Sequence, residues 1–288
     1  MATTELAPRT RDKARATGAA MLLGSALSNQ AGAATAALAF PVLGPPGVVA
    51  VRQWVAAVVL LAIGRPRLRT FTARQWWPVL GLAAVFATVN LCLYTAIDRI
   101  GLGLAVTLEF LGPLAIALAG SRRRIDLACA VAAACAVGVL MRPQPTTDYL
   151  GIGFALVAAV CWACYILLNR TVGRRVPGAA GSAAAAGVSG LLYVPIGVIA
   201  MLHHPPTLGA LAASVTAGLL ASAVPFLVDL MALRRVPAQF FGAFMSVNPV
   251  MAALAGLVVL DQRLDAIAWA AIGVIVAANT VAVLRRAR

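Results

Sequence analysis

The chain has 288 residues, 62% of them hydrophobic and only 11% charged, with a net charge of +14. Soluble domains carry about 25% charged residues, and the apolar residues here run in blocks of roughly 18–23, the length that crosses a hydrocarbon core, so a soluble globular fold is excluded. The basic residues form short clusters between those blocks and not one patch, which reads as membrane loops and argues against a nucleic-acid surface.

Ten blocks predict ten helices, at 17–40, 47–64, 75–97, 101–120, 125–141, 150–170, 181–202, 208–232, 237–260 and 264–284. The first follows Arg9, Arg11, Lys13 and Arg15 and has the outline of a signal peptide. Its apolar stretch is too long for an h-region and nine more blocks follow, so it reads as a retained first helix. Breaker residues separate the blocks: Gly44-Pro45-Pro46-Gly47, Arg65-Pro66, Arg142-Pro143 and Pro205-Pro206.

Alternation of basic residues fixes an expected orientation. With the N-terminus inside, the inner segments collect the N-terminal cluster, then Arg65, Arg67, Arg69 and Arg74, Arg122 to Arg124, Arg170, Arg174 and Arg175, Arg234 and Arg235, and Arg285, Arg286 and Arg288. The outer loops hold only Arg99, Arg142 and Arg263. Such a bias is the positive-inside pattern, and it places both termini in the cytoplasm.

The halves resemble each other. Slid without gaps, Leu80–Gly120 lies on Thr216–Gly256, with Pro113/Pro249, Ala117/Ala253, Leu118/Leu254, Ala119/Ala255 and Gly120/Gly256 identical. Each half has five helices, so the second inserts upside down. The expected fold is an all-α integral membrane protein of two inverted five-helix repeats, at 17–141 and 150–284. Inverted repeats are typical of secondary transporters.

Charge inside a span costs about 2.5–3.5 kcal/mol or more, and three residues carry it. Glu109 lies eight residues into the fourth block, about 12 Å along its axis. Pro113, four residues on, has no N–H for the Glu109 carbonyl, and Gly112 adds flexibility. A proton-accepting side chain and a freed carbonyl thus meet at one kink; the alternative is a protonated carboxyl bonded to a neighbouring helix. Asp229 reads as a proton site or as an interface partner for Arg234. Arg52, near the outer end of the second block, either snorkels to headgroups or faces the bundle and holds a carboxylate.

Uncharged polar residues punctuate the spans: Ser28, Asn29, Gln30, Asn90, Tyr94, Trp162, Tyr165, Gln239, Ser246, Asn248 and Asn279. Interhelical bonding explains such residues as well as substrate contact does. Asn90, Tyr94, Trp162, Tyr165 and Asn248 are taken as candidate substrate or proton contacts beside Glu109, Asp229 and Arg52. Gly112, Pro113, Pro225 and Pro249 are the expected kinks; Pro225 frees the Ala221 carbonyl.

Cys92, Cys129, Cys135, Cys161 and Cys164 all lie in apolar segments, and Cys161 and Cys164 read as a packed pair of small side chains. His203 and His204 lack nearby cysteine or carboxylate ligands, so no metal is expected. Without a Walker A loop, HExxH or GxSxG motif, no cofactor and no catalytic centre are expected.

The segments Phe40–Val48, Ala105–Ala115, Ser121–Arg124, Cys161–Leu167, Ala223–Phe226 and Phe241–Pro249, in that order, resemble the drug/metabolite transporter superfamily with two EamA-type halves, and within it the branch exporting threonine and homoserine. The resemblance implies ten helices in two inverted repeats in a bacterial inner membrane. It also implies export of small amino acids driven by proton entry, with Glu109 and Asp229 at positions where the family carries acids. Two positions depart from it: Asn248 stands where an acid precedes proline, and Asp261-Gln262 where a Gly-Glu pair is usual. The implied partners are an amino acid, protons and the bilayer; small residues are also compatible with a homodimer. The competing readings are export of another metabolite or drug, a membrane-embedded enzyme, and an accessory subunit without solute flux.

Overall fold

The computed structural model describes residues 8–118, 124–140, 148–176, 179–225, 228 and 245–286, and every regular element among them is helical. In chain order these are α1 (Pro8–Ala37), α2 (Phe40–Gly64), α3 (Ala73–Ile100), α4 (Leu102–Glu109), α5 (Leu111–Leu118), α6 (Arg124–Leu140), α7 (Tyr149–Arg175), α8 (Ala180–His203), α9 (Leu208–Gly218), α10 (Asn248–Leu260) and α11 (Ala266–Arg286). A π-helical segment, Leu219–Ala223, continues α9. Four of these, α2, α3, α7 and α8, are long and apolar enough to cross a membrane, and shorter apolar helices accompany them.

The distribution of polarity is that of a chain solvated by lipid. Val258 is 80% exposed, Leu202 75% and Leu191 71%, while Gln53, Asn279 and Ser189 are almost wholly buried. Alanine fills most of the buried apolar positions. Lipid tails are as apolar as leucine, so small side chains that let helices approach closely provide the attraction that water would otherwise supply.

The helices pair antiparallel across the chain's midpoint. Along α2 and α8, Gly47 meets Ala200, Ala57 meets Gly190 and Gly64 meets Ala183. Along α3 and α7, Gln75 donates to the Arg175 carbonyl at one end and Arg99 reaches Asp148 at the other. α4 packs on α10 and on α7, α6 on α11, and α1 on α9 and α10; α9 also packs on α2, and α3 on α8.

This pairing gives the bundle two unlike ends. One gathers the exposed Arg65, Arg67, Arg69, Arg74, Arg170, Arg174 and Arg175, with Arg175 5.2 Å from the Trp77 ring. The other is closed by an apolar plug in which Phe40, Leu43, Ile97, Leu102 and Ile152 are buried together. Two polar ties cross the plug's rim. The Leu102 N–H donates to Gln262 Oε1 at 2.9 Å, and Arg99 Nε pairs with Asp148 Oδ2 at 2.9 Å. The Asp148 carboxylate also caps α7 by accepting the Gly151 N–H. That backbone bond, then Arg99, holds its carboxyl below the usual range.

Several boundaries differ from the sequence reading. The first turn falls at Leu38 and Ala39, not at Gly44-Pro45-Pro46-Gly47. Pro41 opens α2 early, and Gly44 bends it from inside with φ 63°, a left-handed conformation suited to glycine. Arg52 is therefore near the middle of α2 and not near its end. Gly112 serves close packing: a Cβ there would collide with the Ala159 carbonyl oxygen of α7. Cys164 is exposed and Cys161 half-buried, so the expected packed pair is corrected; all five cysteines are free. Asp229 and Gln239 lie outside the described residues.

The packing sets two expectations for stability. Gly112→Ala should lose about 1–3 kcal/mol through overpacking, whereas Gly153→Ala, where nothing lies within 4 Å of the new Cβ, should gain up to ~1 kcal/mol from a stiffer unfolded chain; thermal unfolding in detergent reads the opposite signs. Asp148 has a depressed folded pKa, so its stabilisation is present above the ordinary aspartate value of about 3.9 and is lost as pH falls through the lower folded value. Asp148→Asn should melt below the parent at neutral pH and converge with it under strong acid.

Candidate functional site

Polar and apolar side chains together line a cavity of 260 Å³ at the centre of the bundle. Its wall takes Ser25, Asn29 and Gln30 from α1, Arg52 from α2, Phe86, Asn90 and Tyr94 from α3, Glu109 from α4, and Trp162 and Tyr165 from α7. Phe110, Ala221, Pro225, Met245 and Asn248 also face it, with aliphatic side chains between the polar ones.

Three helix breaks build the site. α4 stops at Glu109 and α5 starts at Leu111, with Phe110 between them as a turn. Pro113 removes the N–H that would bond the Glu109 carbonyl; the Phe110 N–H still bonds Val106 and the Leu114 N–H bonds Phe110. Asn279 of α11 donates to the Phe110 carbonyl at 3.5 Å, steadying the break from behind. In the second break the Val224 N–H reaches back five residues to Leu219, which is the π spacing. Pro225 then has no N–H to return to Leu220 at π spacing or to Ala221 at α spacing. The third break is the start of α10, where Asn248 precedes Pro249 in the first turn.

The freed carbonyls are used. Ser28 Oγ donates to the Leu220 carbonyl at 2.8 Å, and Arg52 Nη2 to the Ala221 carbonyl at 3.2 Å. Arg52 Nη1 donates to Asn90 Oδ1, and Asn90 Nδ2 donates to the Phe86 carbonyl at 2.7 Å. The guanidinium carbon stands 4.9 Å from the Tyr94 ring centre, a cation–π arrangement favoured where water is scarce. Arg52 thus faces the bundle and does not snorkel. Its Nε and the Tyr94 hydroxyl are buried with no hydrogen-bond partner among the described residues.

Glu109 is 2% exposed and lies in the cavity wall. Among the described residues no group donates a hydrogen bond to its carboxyl, so a carboxyl bonded to a neighbouring helix is not what the structure shows. Arg52 shares the cavity wall with it. In the same wall, the Phe110 and Trp162 rings meet edge to face at 5.0 Å, and the Phe86 and Tyr165 ring centres lie 5.9 Å apart. Gln30 Nε2 donates to Asn248 Oδ1 at 3.0 Å, and Asn248 Nδ2 to the Met245 carbonyl.

Of the residues singled out in the sequence, Arg52, Asn90, Tyr94, Glu109, Trp162, Tyr165, Asn248 and Pro225 come together around this one space. Gly112, Pro113 and Pro249 shape it from outside the wall. Sequence reasoning missed Gln53, which is 2% exposed and donates to Ser189 Oγ at 2.8 Å and to the Phe86 carbonyl at 3.3 Å. Its place beside Arg52 in an apolar run was the available signal. It also missed Ser25, and Phe86 and Phe110, which nothing distinguishes from ordinary span residues. His203 is spent at the end of α8, its Nδ1 2.9 Å from the Ile199 carbonyl.

Comparison with known proteins adds three findings. Residues 149–284 match the EamA-like transporter family. The threonine/homoserine exporter RhtA of Escherichia coli K12 is 34% identical over 266 residues, 90% of this chain and 88% of that protein, and RhtA of Salmonella typhimurium LT2 is 34% identical over the same shares. A solved crystal structure superposes with a TM-score of 0.60 at 20% identity, covering 94% of this chain and 99% of the other, a likeness of fold alone.

Proposed function

The chain belongs to the EamA-like transporter family, and from that membership we propose that it is a secondary exporter of small amino acids of the threonine and homoserine kind, working as a proton antiporter by alternating access. The observation that carries the reading is that, among the described residues, the Arg52 guanidinium is held by neutral acceptors and the Glu109 carboxyl has no donor, with both in the wall of one central cavity. An amino acid offers each its complement: carboxylate for Arg52, ammonium for Glu109. The aromatic wall of Phe86, Trp162 and Tyr165 receives the side chain.

Glu109 holds either the ammonium or a proton, and this exclusivity couples the two fluxes. Substrate leaves outward as a proton takes its place, and the proton is released inward as new substrate arrives. One charge moving inward is worth about 2.3 kcal/mol per 100 mV. Asp229 is assigned a second proton-binding role on the strength of the family resemblance alone.

Two inverted repeats, 17–141 and 150–284, supply the rocking halves. Exchange α1 with α7, α2 with α8, α3 with α9, α4 and α5 with α10, and α6 with α11. The contacts α2–α8, α4–α10 and α6–α11 then map onto themselves; α3–α7 maps onto α9–α1, α3–α8 onto α9–α2, and α4–α7 onto α10–α1. Each of those contacts is present, which supports the pseudo-twofold, as does a family match that spans the second repeat. The arginine-rich end is assigned to the cytoplasm of a bacterial inner membrane, with both termini on that side.

Counterflow and pH-driven flux in proteoliposomes with labelled threonine test this. Glu109→Gln should keep its melting temperature and lose at least tenfold in pH-driven export; unchanged export would remove Glu109 from the coupling. Arg52→Gln should weaken threonine binding roughly ten- to hundredfold, the worth of a charge-assisted hydrogen bond.

A further inference from the structure

The acceptor that Arg52 takes from the second half is a backbone carbonyl, and that choice has a use. Ala221 lies in the π segment, Arg52 in the middle of α2. Their bond, together with Ser28 Oγ on the Leu220 carbonyl, forms a two-point clasp between α1 and α2 on one side and the π segment on the other. Both carbonyls are open to side chains because Pro225 has no N–H for either.

We propose that the Ala221 carbonyl is a built-in stand-in for the substrate's carboxylate, and that Pro225 is the positioning residue that keeps it available; this rests on the amino-acid exporter reading above. A carboxylate meets a guanidinium with full opposite charge at about 2.7–2.9 Å and can take two of its N–H groups at once, which a single carbonyl oxygen cannot match. The Ala221 oxygen, at 3.2 Å, is therefore the weaker of two competitors for Nη2. A carboxylate entering the cavity takes Arg52 and releases one point of the clasp. The released carbonyl finds no donor at residue 225, and an unpaired buried carbonyl is costly, so the π segment shifts until another donor reaches it. Substrate binding and motion of the second half are thereby one event, triggered by the carboxylate and not by the substrate's bulk.

Pro225→Ala separates the steps. Its new N–H satisfies Ala221 within the helix and withdraws the competitor. In the full-length protein, equilibrium binding of labelled threonine should tighten about tenfold, while threonine exchange in proteoliposomes falls at least tenfold. Threonine methyl ester, which lacks the carboxylate, should compete no better against the variant than against the parent. Pro225→Gly supplies the same N–H with more freedom and should repeat the pattern should the alanine variant fold poorly. Equal shifts for acid and ester would reduce Pro225 to a kink and overturn the proposal. Parent-like binding and exchange in both variants would overturn it too, leaving the exporter reading intact. Failure of the parent itself to bind any amino acid would remove both.

Discussion

A guanidinium in the middle of a lipid-solvated bundle has to be met by acceptors, and this chain meets it from three directions. Asn90 of α3, the Ala221 carbonyl of the π segment and the face of Tyr94 converge on Arg52. Each demands something of its own element. Asn90 is fixed by its bond to the Phe86 carbonyl; Ala221 must be spared by its helix, hence Pro225; Tyr94 must be fully buried and is braced by Phe40 at 5.9 Å. Remove the charge and the Ala221 carbonyl loses the donor that meets it.

The same logic explains what the sequence could and could not reveal. Helix positions were legible because lipid imposes a length on apolar runs, and α3, α7 and α8 begin and end within a few residues of the apolar blocks. The polar set was legible because a charge or amide in such a run is costly wherever it points. Direction was not legible: whether Arg52 snorkels depends on where α2 starts, and that turned on Pro41 opening the helix before the Gly44-Pro45-Pro46-Gly47 signal. Gln53 escaped because its partner, Ser189, is far away in sequence on α8. The reason for Gly112 escaped for the same cause, since the carbonyl it accommodates belongs to α7.

The two breaks nearest the cavity are unlike in kind. At Phe110 the chain resumes as a helix at once, and Asn279 steadies it from α11. At Leu219–Ala223 the helix stays continuous but changes spacing, and the side chains that satisfy it come from α1 and α2. Both breaks are tied across to the opposite half, the first by one amide of α11 and the second by two side chains from α1 and α2. They differ in what withdrawal of a donor leaves behind: at the π segment it leaves the Leu220 or the Ala221 carbonyl, which Pro225 cannot serve.

The plug of Phe40, Leu43, Ile97, Leu102 and Ile152 bears on temperature. In a carrier that alternates as proposed, this apolar seal is wetted once per cycle, and hydrating apolar surface raises heat capacity. The activation enthalpy of turnover then varies with temperature, so an Arrhenius plot of export is a curve and not a line. Its bend measures how much of the seal is wet at the top of the barrier, without any structure of the open state.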